Sequence, residues 1–164
     1  KKVEDFWNLK LERFKQYCTT EFIELIPGVD NLLESLKSND EFELSLVTGN
    51  SVKNAFQKLS SYKLDRYFTD GAFGNDNSNR NLLPPIALDR VNNRVGNAIY
   101  RSENTIIIGD TNSDILAAKT NDMKAMIIAK EEDHDTFREQ KADSLMSDFS
   151  DLDRFYNEMD RIYN

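Results

Sequence analysis

Two carboxylates, Asp110 and Asp114, are spaced so that they could bind one metal ion together. Asp110 follows the apolar run Thr105–Ile108 and Gly109, and Asp114 falls four residues later, where the next helix is predicted to begin. Two carboxylates held close together repel one another unless a proton or a cation intervenes. Oxygen ligands completed by water suit Mg²⁺, so the pair predicts a magnesium site. The alternative is structural: Asp110 closes a turn, and Asp114 favours the helix N-terminus electrostatically.

A second candidate site is the turn Thr48-Gly49-Asn50, which follows the predicted strand Leu44–Val47. The Thr48 hydroxyl and the unpaired N–H groups of the next helix would together bind an anion such as phosphate. Alone, the turn is equally well explained as a helix start capped by Asn50 or Ser51. Together with the two carboxylates, it predicts magnesium-assisted handling of a phosphate ester.

Both sites need elements that bring strand ends together. Apolar strands alternate with helices along the chain, and Thr105–Ile108 is of the type that is buried on both faces of a parallel sheet. This alternation predicts an α/β fold with an open, mostly parallel sheet flanked by helices. Ligands bind such sheets beyond the carboxyl ends of the strands, where both candidate sites lie. Periodic apolar residues also predict a terminal helix over Leu152–Tyr163.

The composition narrows the class of protein. The 164 residues are enough for one domain, and 39% hydrophobic with 30% charged residues is typical of a folded globular protein. A formal net charge of −8 disfavours nucleic acid and anionic membranes as partners, and no apolar run approaches the ~20 residues of a membrane span. Cys18 has no partner cysteine in the sequence, which fits a reducing, cytoplasmic location. His134 lies in an acidic segment that we expect to be a solvated loop.

The two motifs, in this order, resemble the haloacid dehalogenase-like hydrolase superfamily. Leu46–Asn50 is similar to its second signature and Ile106–Asp114 to its fourth. The segment Ile26–Val29 is similar to the point where the chain re-enters the core from the cap. The resemblance therefore implies a remnant of a helical cap at residues 1–25 and a Rossmann-like core at residues 26–164. Other segments resemble the phosphoglycolate-phosphatase-like branch: Tyr67-Phe68, Gly71–Gly74 and Arg80 through Leu88.

This resemblance implies a mechanism, in which an Asp nucleophile attacks the phosphoryl group and water hydrolyses the resulting aspartyl-phosphate. By position, Asp110 would bind Mg²⁺ directly, and Asp114 would bind it or orient a water bound to it. Arg80 is the candidate for the cation that steadies the phosphoryl group, although the usual Lys-Pro context is absent. The phosphate pocket would be formed by Thr48, Gly49 and Asn50.

One signature of the family is missing from the sequence. The first core strand, which carries Asp-x-Asp-x-Thr and would lie between Leu44–Val47 and Thr105–Ile108, has no counterpart. We therefore expect the nucleophile to lie upstream of Lys1, and the 164 residues alone to be inactive. The expected function is a Mg²⁺-dependent phosphatase acting on a small phosphorylated metabolite. The alternative is a non-catalytic or regulatory relative that binds phosphate or a partner, and the oligomeric state is open.

Overall fold

The structure is a computed structural model, and it describes residues 24–164. The helical cap predicted for residues 1–25 lies almost wholly outside the described residues, as does Cys18. No helix among the described residues is long and apolar enough to cross a membrane.

Within residues 24–164 the strands form two separate sheets. β1 (Leu46–Thr48) pairs with β2 (Gly71–Phe73). The second sheet has the order β3 (Ile106–Gly109), β4 (Lys124–Ile128) and β5 (Ser144–Met146). Every pairing is parallel, which confirms the predicted α/β class.

Six α-helices in the described part of the chain connect and cover these strands. The third helix, Leu83–Val95, has prolines in its first turn, where the missing N–H groups cost nothing. It ends at Gly96, whose φ of 75° is left-handed. The sixth helix, Leu152–Tyr163, has the predicted bounds. In order, the helices are α1 (Val29–Lys37), α2 (Val52–Ser60), α3 (Leu83–Val95), α4 (Asn112–Thr120), α5 (His134–Glu139) and α6 (Leu152–Tyr163).

β4 is buried on both faces, as expected for a central strand of a parallel sheet. Met126 and Ile128 pack against α1 and α6 on one side. Ala125 and Ile127 pack against α4 on the other side. Alternating side chains of one strand therefore join two helical layers, which fixes the strand's register.

The helix α3 packs on the first sheet and reaches the core of the second. On one face, Ala72 of β2 and Val47 of β1 pack against α3. Leu88 of that helix also packs on the core of the second sheet, and α1 contributes to the cores on the opposite face. α3 therefore contacts both sheets, whereas α1 packs on the second sheet and on the segments that precede β1 and β2.

A cleft of about 720 Å³ separates β1 from β3. Among residues 24–164, β1 pairs only with β2 and β3 pairs only with β4, so each presents an unpaired edge. Leu46, Val47 and the isoleucines of β3 line the cleft. Ile108 is 38% exposed there, whereas Ile127 in β4 is fully buried. The gap expected between these strands is therefore present in the described part of the chain.

Two local predictions were wrong. β1 begins at Leu46, two residues after the predicted start at Leu44. His134 is only 8% exposed; it starts α5, and its Nε2 lies 3.0 Å from the carbonyl oxygen of Ala129 after β4.

Candidate active site

The carboxylate of Asp114 is the centre of a hydrogen-bond network at the carboxyl end of β3. Its Oδ2 accepts bonds from the Asp110 N–H (3.2 Å), the Thr111 N–H (3.0 Å) and the Thr111 hydroxyl (2.6 Å). Its Oδ1 accepts a bond of 2.8 Å from Nη2 of Arg80. The side chain of Asp114 is only 12% exposed. These four bonds fix the start of α4 and the position of the guanidinium together.

Gly109 makes this arrangement possible. A Cβ atom at this position would lie 2.4 Å from Cγ and 2.5 Å from Oδ2 of Asp114. Any side chain here would therefore push the carboxylate away from the strand end. The close approach explains a glycine at the last position of β3.

Asp110 has a different environment from Asp114. It is exposed, it lines the cleft between β1 and β3, and its carboxylate accepts no hydrogen bond from any group in residues 24–164. Carboxylate oxygens that remain accessible are suitable ligands for a hard cation such as Mg²⁺. Asp110 therefore fits a metal ligand, whereas the oxygens of Asp114 are already engaged by four donors. No group of three or more His, Cys, Asp or Glu side chains suited to a metal ion occurs in the described residues.

Arg80 connects the two sheets. It begins the short 3-10 helix Arg80–Leu82, which is fixed by a bond of 2.7 Å from the Asn121 amide to the Asn81 carbonyl oxygen. A Cβ atom built on Gly49, after β1, would lie 3.9 Å from Cδ of Arg80. The side chain is 43% exposed, so part of the guanidinium is open to a ligand while the other part is held by Asp114. Arg80 thus lies between the carboxyl ends of β1 and β3.

The turn after β1 is shaped by Thr48. Its Oγ1 accepts bonds from the Asn50 N–H (3.2 Å) and the Asn50 side-chain amide (3.1 Å). The hydroxyl hydrogen of Thr48 has no acceptor in residues 24–164, so it is available to an anion. Ser51 caps α2 through the Asn54 N–H at 3.3 Å, which is one of the two predicted caps.

The turn after β1 also rests on the turn after β2. The Gly74 N–H donates to the Asn50 carbonyl oxygen at 2.9 Å. A Cβ atom on Gly74 would lie 2.2 Å from the carbonyl oxygen of Gly49. A glycine at 74 is therefore required for the two turns to touch.

An ion pair beside the site was not predictable from the sequence. Arg90 of α3 forms two bonds to the Asp76 carboxylate, at 2.7 and 2.8 Å, and donates to the Gly71 carbonyl oxygen. The Arg90 bonds first, and then the Phe73 N–H, hold the pKa of Asp76 below its usual value. The two residues lie 14 positions apart in different elements, and no spacing rule links them.

The structure brings together Gly49, Arg80, Asp110 and Asp114 at the carboxyl ends of β1 and β3, with Thr48 as the last residue of β1. Their roles toward a metal or a phosphoryl group stay predictions. The site lies where open parallel α/β sheets bind their ligands. Fold and site together define an α/β protein of the doubly wound, parallel-sheet class.

The family follows from comparison with known proteins. The model of the haloacid dehalogenase-like hydrolase family matches residues 1–128. The chain therefore belongs to the haloacid dehalogenase-like hydrolases. A search of curated proteins finds no match.

Solved structures share this fold. CbbY from Rhodobacter sphaeroides, in complex with phosphate, aligns with a TM-score of 0.71 and 20% identity over 92% of this chain and 65% of its own. β-Phosphoglucomutase from Clostridium difficile aligns with a TM-score of 0.69 and 19% identity over 96% of this chain and 65% of its own. A protein described as a predicted phosphoglycolate phosphatase from Haemophilus somnus aligns with a TM-score of 0.60 and 21% identity over 81% of this chain and 57% of its own. The chain thus spans about three fifths of the length of these neighbours.

Proposed function

We propose that this chain forms most of the core of a Mg²⁺-dependent phosphatase that hydrolyses a small phosphate monoester through an aspartyl-phosphate. The observation that carries the proposal is the position of Arg80, which is bonded to Asp114 and lies beside Gly49 with part of its guanidinium exposed. A cation anchored on one side and open on the other is suited to holding an anion against the turn after β1.

The proposed phosphoryl pocket lies between Arg80 and the turn after β1. Arg80 would donate to phosphoryl oxygens with the guanidinium N–H groups that Asp114 does not use. The Thr48 hydroxyl would donate its unpaired hydrogen to a further oxygen, with Gly49 and Asn50 lining the pocket. Donors fixed in advance stabilise the charge that develops on the transferring group.

A bound Mg²⁺ would neutralise charge on the transferring phosphoryl group. Asp110 is the residue of this chain that fits as its direct ligand, since its carboxylate is exposed and has no donor in residues 24–164. Asp114 is the residue that keeps Asp110 in place, because it accepts the Asp110 N–H.

The proposed reaction has two steps. A carboxylate oxygen of the nucleophile forms a bond to phosphorus while the bond from phosphorus to the ester oxygen breaks, and the leaving oxygen takes a proton. Water then attacks the aspartyl-phosphate, which releases inorganic phosphate and restores the carboxylate. We place the nucleophile upstream of Lys1, on a strand that fills the cleft between β1 and β3. Such a strand would end beside Asp110, which lines the cleft.

The proposed substrate is a small phosphorylated metabolite. In support, CbbY has been crystallised in complex with phosphate and with xylulose-(1,5)bisphosphate. We further propose a cytoplasmic location. The competing function is a non-catalytic or regulatory relative that binds phosphate without turnover, and the residues at the carboxyl end of the cleft strand decide between them.

The test uses the protein with its natural upstream sequence, assayed with an aryl phosphate and Mg²⁺. We expect Asp110→Asn and Arg80→Ala each to lower kcat/KM by about 100-fold or more, since each removes charge stabilisation from the transition state. Asp30→Asn, in the exposed first turn of α1, is the matched control and should leave the rate unchanged. Activity that persists in Asp110→Asn would remove the metal role. Phosphate binding without turnover in the wild type would favour the non-catalytic relative.

A further inference from the structure

Among residues 24–164, Asn50 provides both hydrogen bonds that the oxygen of the Thr48 hydroxyl accepts. Its backbone nitrogen lies 3.2 Å from Thr48 Oγ1, and its side-chain amide nitrogen lies 3.1 Å from the same atom. A hydroxyl oxygen has two lone pairs and carries one hydrogen. Because both lone pairs are used, the Thr48 hydroxyl can act only as a donor, and its hydrogen must point away from both groups of Asn50.

Asn50 is itself held in place by the turn after β2. Its carbonyl oxygen accepts a bond of 2.9 Å from the Gly74 N–H. Two residues further along the chain, the Val52 N–H donates to Oδ1 of Asn75 at 3.1 Å. These two bonds fix the backbone of residues 50–52 without involving the Thr48 hydroxyl. The position of Asn50 therefore does not depend on that hydroxyl, and Asn50 is able to orient it.

The turn after β2 is anchored on α3. The Asp76 carboxylate accepts the Phe73 N–H at 2.9 Å and two further bonds from Arg90 of that helix. A continuous path of hydrogen bonds and backbone thus runs from α3 through this turn to Asn50 and the Thr48 hydroxyl. Donors that are fixed in this way need no reorganisation when charge develops on a ligand.

The residue on the other side of the proposed phosphoryl pocket also offers only donors. The guanidinium of Arg80 has no acceptor atom, and the side chain is 43% exposed although Asp114 holds one nitrogen. Its Cδ would lie 3.9 Å from a Cβ atom built on Gly49, the neighbour of Thr48. Two sets of donors match a group whose oxygens all accept, such as a phosphoryl dianion. A ligand group that must itself donate would leave one of them unpaired, which costs free energy.

We propose that Asn50 is a positioning residue: it holds both lone pairs of the Thr48 hydroxyl, so that the hydroxyl hydrogen is directed at the bound anion. In taking this anion to be a phosphoryl group, the inference rests on the proposed function. Asn50 acts through Thr48 and does not itself touch the reacting atoms. The competing explanation is that the bonds from Asn50 only stabilise the turn. Their loss would then weaken anion binding equally with and without the Thr48 hydroxyl.

The experiment measures the dissociation constant of inorganic phosphate by isothermal titration calorimetry in the presence of Mg²⁺, using the protein with its natural upstream sequence. We expect Asn50→Ala to weaken phosphate binding about five- to tenfold, since one lone pair is freed and the hydroxyl hydrogen can then take other orientations. In a Thr48→Val background, which keeps the branched shape but lacks the hydroxyl, Asn50→Ala should weaken binding by less than about twofold. An equal loss in the two backgrounds, or no loss in either, would overturn the proposal.

Ser51→Ala is the matched control in the same turn. The Ser51 hydroxyl accepts the Asn54 N–H at 3.3 Å and caps α2, but it forms no hydrogen bond to Thr48. Its replacement should lower the melting temperature, because the cap is lost, and should change phosphate binding by the same factor in both Thr48 backgrounds. If Ser51→Ala depended on the Thr48 hydroxyl as strongly as Asn50→Ala does, any loosening of the turn would explain the effect, and the proposal would be wrong.

Phosphate binding requires no turnover, so these outcomes are separate from the aryl phosphate assay. A wild-type protein that binds phosphate and shows the dependence on Thr48, but hydrolyses nothing, would support this inference and exclude the proposed hydrolysis. A wild-type protein that hydrolyses the aryl phosphate, but in which Asn50→Ala has the same effect in both backgrounds, would do the reverse. A wild-type protein that does not bind phosphate would overturn the inference.

Discussion

Asp114 and Arg80 act as one unit at the scale of single residues. Asp114 closes the start of α4 through the Thr111 hydroxyl and N–H, and the same carboxylate holds Arg80 at 2.8 Å. The spacing of Asp110 and Asp114 was enough to predict that both would stand at the end of β3. It could not show that one is accessible and the other fully engaged, because Arg80 reaches Asp114 from 34 positions away.

Replacing Asp114 tests whether this carboxylate is structural. We expect Asp114→Asn to lower the free energy of unfolding by about 1–3 kcal/mol, since an amide cannot accept all four bonds and the ion pair is lost. Urea denaturation measures the change. Asp30→Asn, which removes an exposed first-turn carboxylate from α1, should change stability by less than about 0.5 kcal/mol. A similar effect of both substitutions would contradict the central role of Asp114.

Gly74 and Gly49 lie in the two turns that touch after β2 and β1, but only Gly49 has space for a side chain. Gly74→Ala should destabilise the chain by about 1–3 kcal/mol, because its Cβ would lie 2.2 Å from a backbone carbonyl oxygen. Gly49→Ala should be tolerated, since its Cβ would meet Arg80 at an ordinary 3.9 Å. Thermal unfolding of the two variants compares them directly. The reverse order of stability would show that the two turns do not touch as described.

At the scale of elements, ion pairs join strands to the helices that follow them. Arg90 of α3 ties the turn after β2 to that helix through Asp76, and the Phe73 N–H donates to the same carboxylate at 2.9 Å. The elements themselves were largely predictable, because the apolar run of β3 and the periodic residues of α6 are local signals. The ties between elements were not, since they depend on side chains brought together only by the fold.

The Asp76–Arg90 pair predicts a dependence of stability on pH. Because the pKa of Asp76 is lowered in the folded state, its contribution is present above the unfolded value of about 3.9 and is lost as the pH falls through the lower folded value. Asp76→Asn should therefore be less stable than wild type at pH 7, and the difference should shrink below about pH 4. Urea midpoints at the two pH values measure this. A difference that stays constant with pH would show that the ion pair does not contribute.

At the scale of the whole molecule, residues 24–164 form two small parallel sheets that are covered by helices. The helix α3 contacts both sheets, and no strand of residues 24–164 lies in the cleft between β1 and β3. The sequence predicted this gap only through the family resemblance, because a missing strand leaves no local signal. The structure adds the lining of the gap, which is mostly apolar and includes four carboxylates but no Lys, Arg or His of residues 24–164.

Because of the cleft between β1 and β3, truncation of Ile108 and truncation of Ile127 should change the free energy of unfolding by different amounts. In the 164-residue chain, Ile108→Ala should cost less than about 1 kcal/mol because the side chain is 38% exposed, whereas Ile127→Ala should cost about 2–5 kcal/mol. In the protein with its natural upstream sequence, the cost of Ile108→Ala should rise toward that of Ile127→Ala. Denaturant unfolding of both forms provides the comparison. An unchanged cost at Ile108 would mean that the upstream segment does not cover β3.

The edges of β1 and β3 that no strand of residues 24–164 covers also bear on how the 164-residue chain behaves at high concentration. An open row of backbone donors and acceptors flanked by apolar side chains is a template for intermolecular β-pairing, and no charged residue lies within β3, whose Ile108 is exposed. Molecules that expose these rows would stack edge to edge into fibrillar aggregates. A peptide that pairs with these edges should therefore slow the aggregation of this chain, which would delay the rise of light scattering and of thioflavin fluorescence on prolonged incubation.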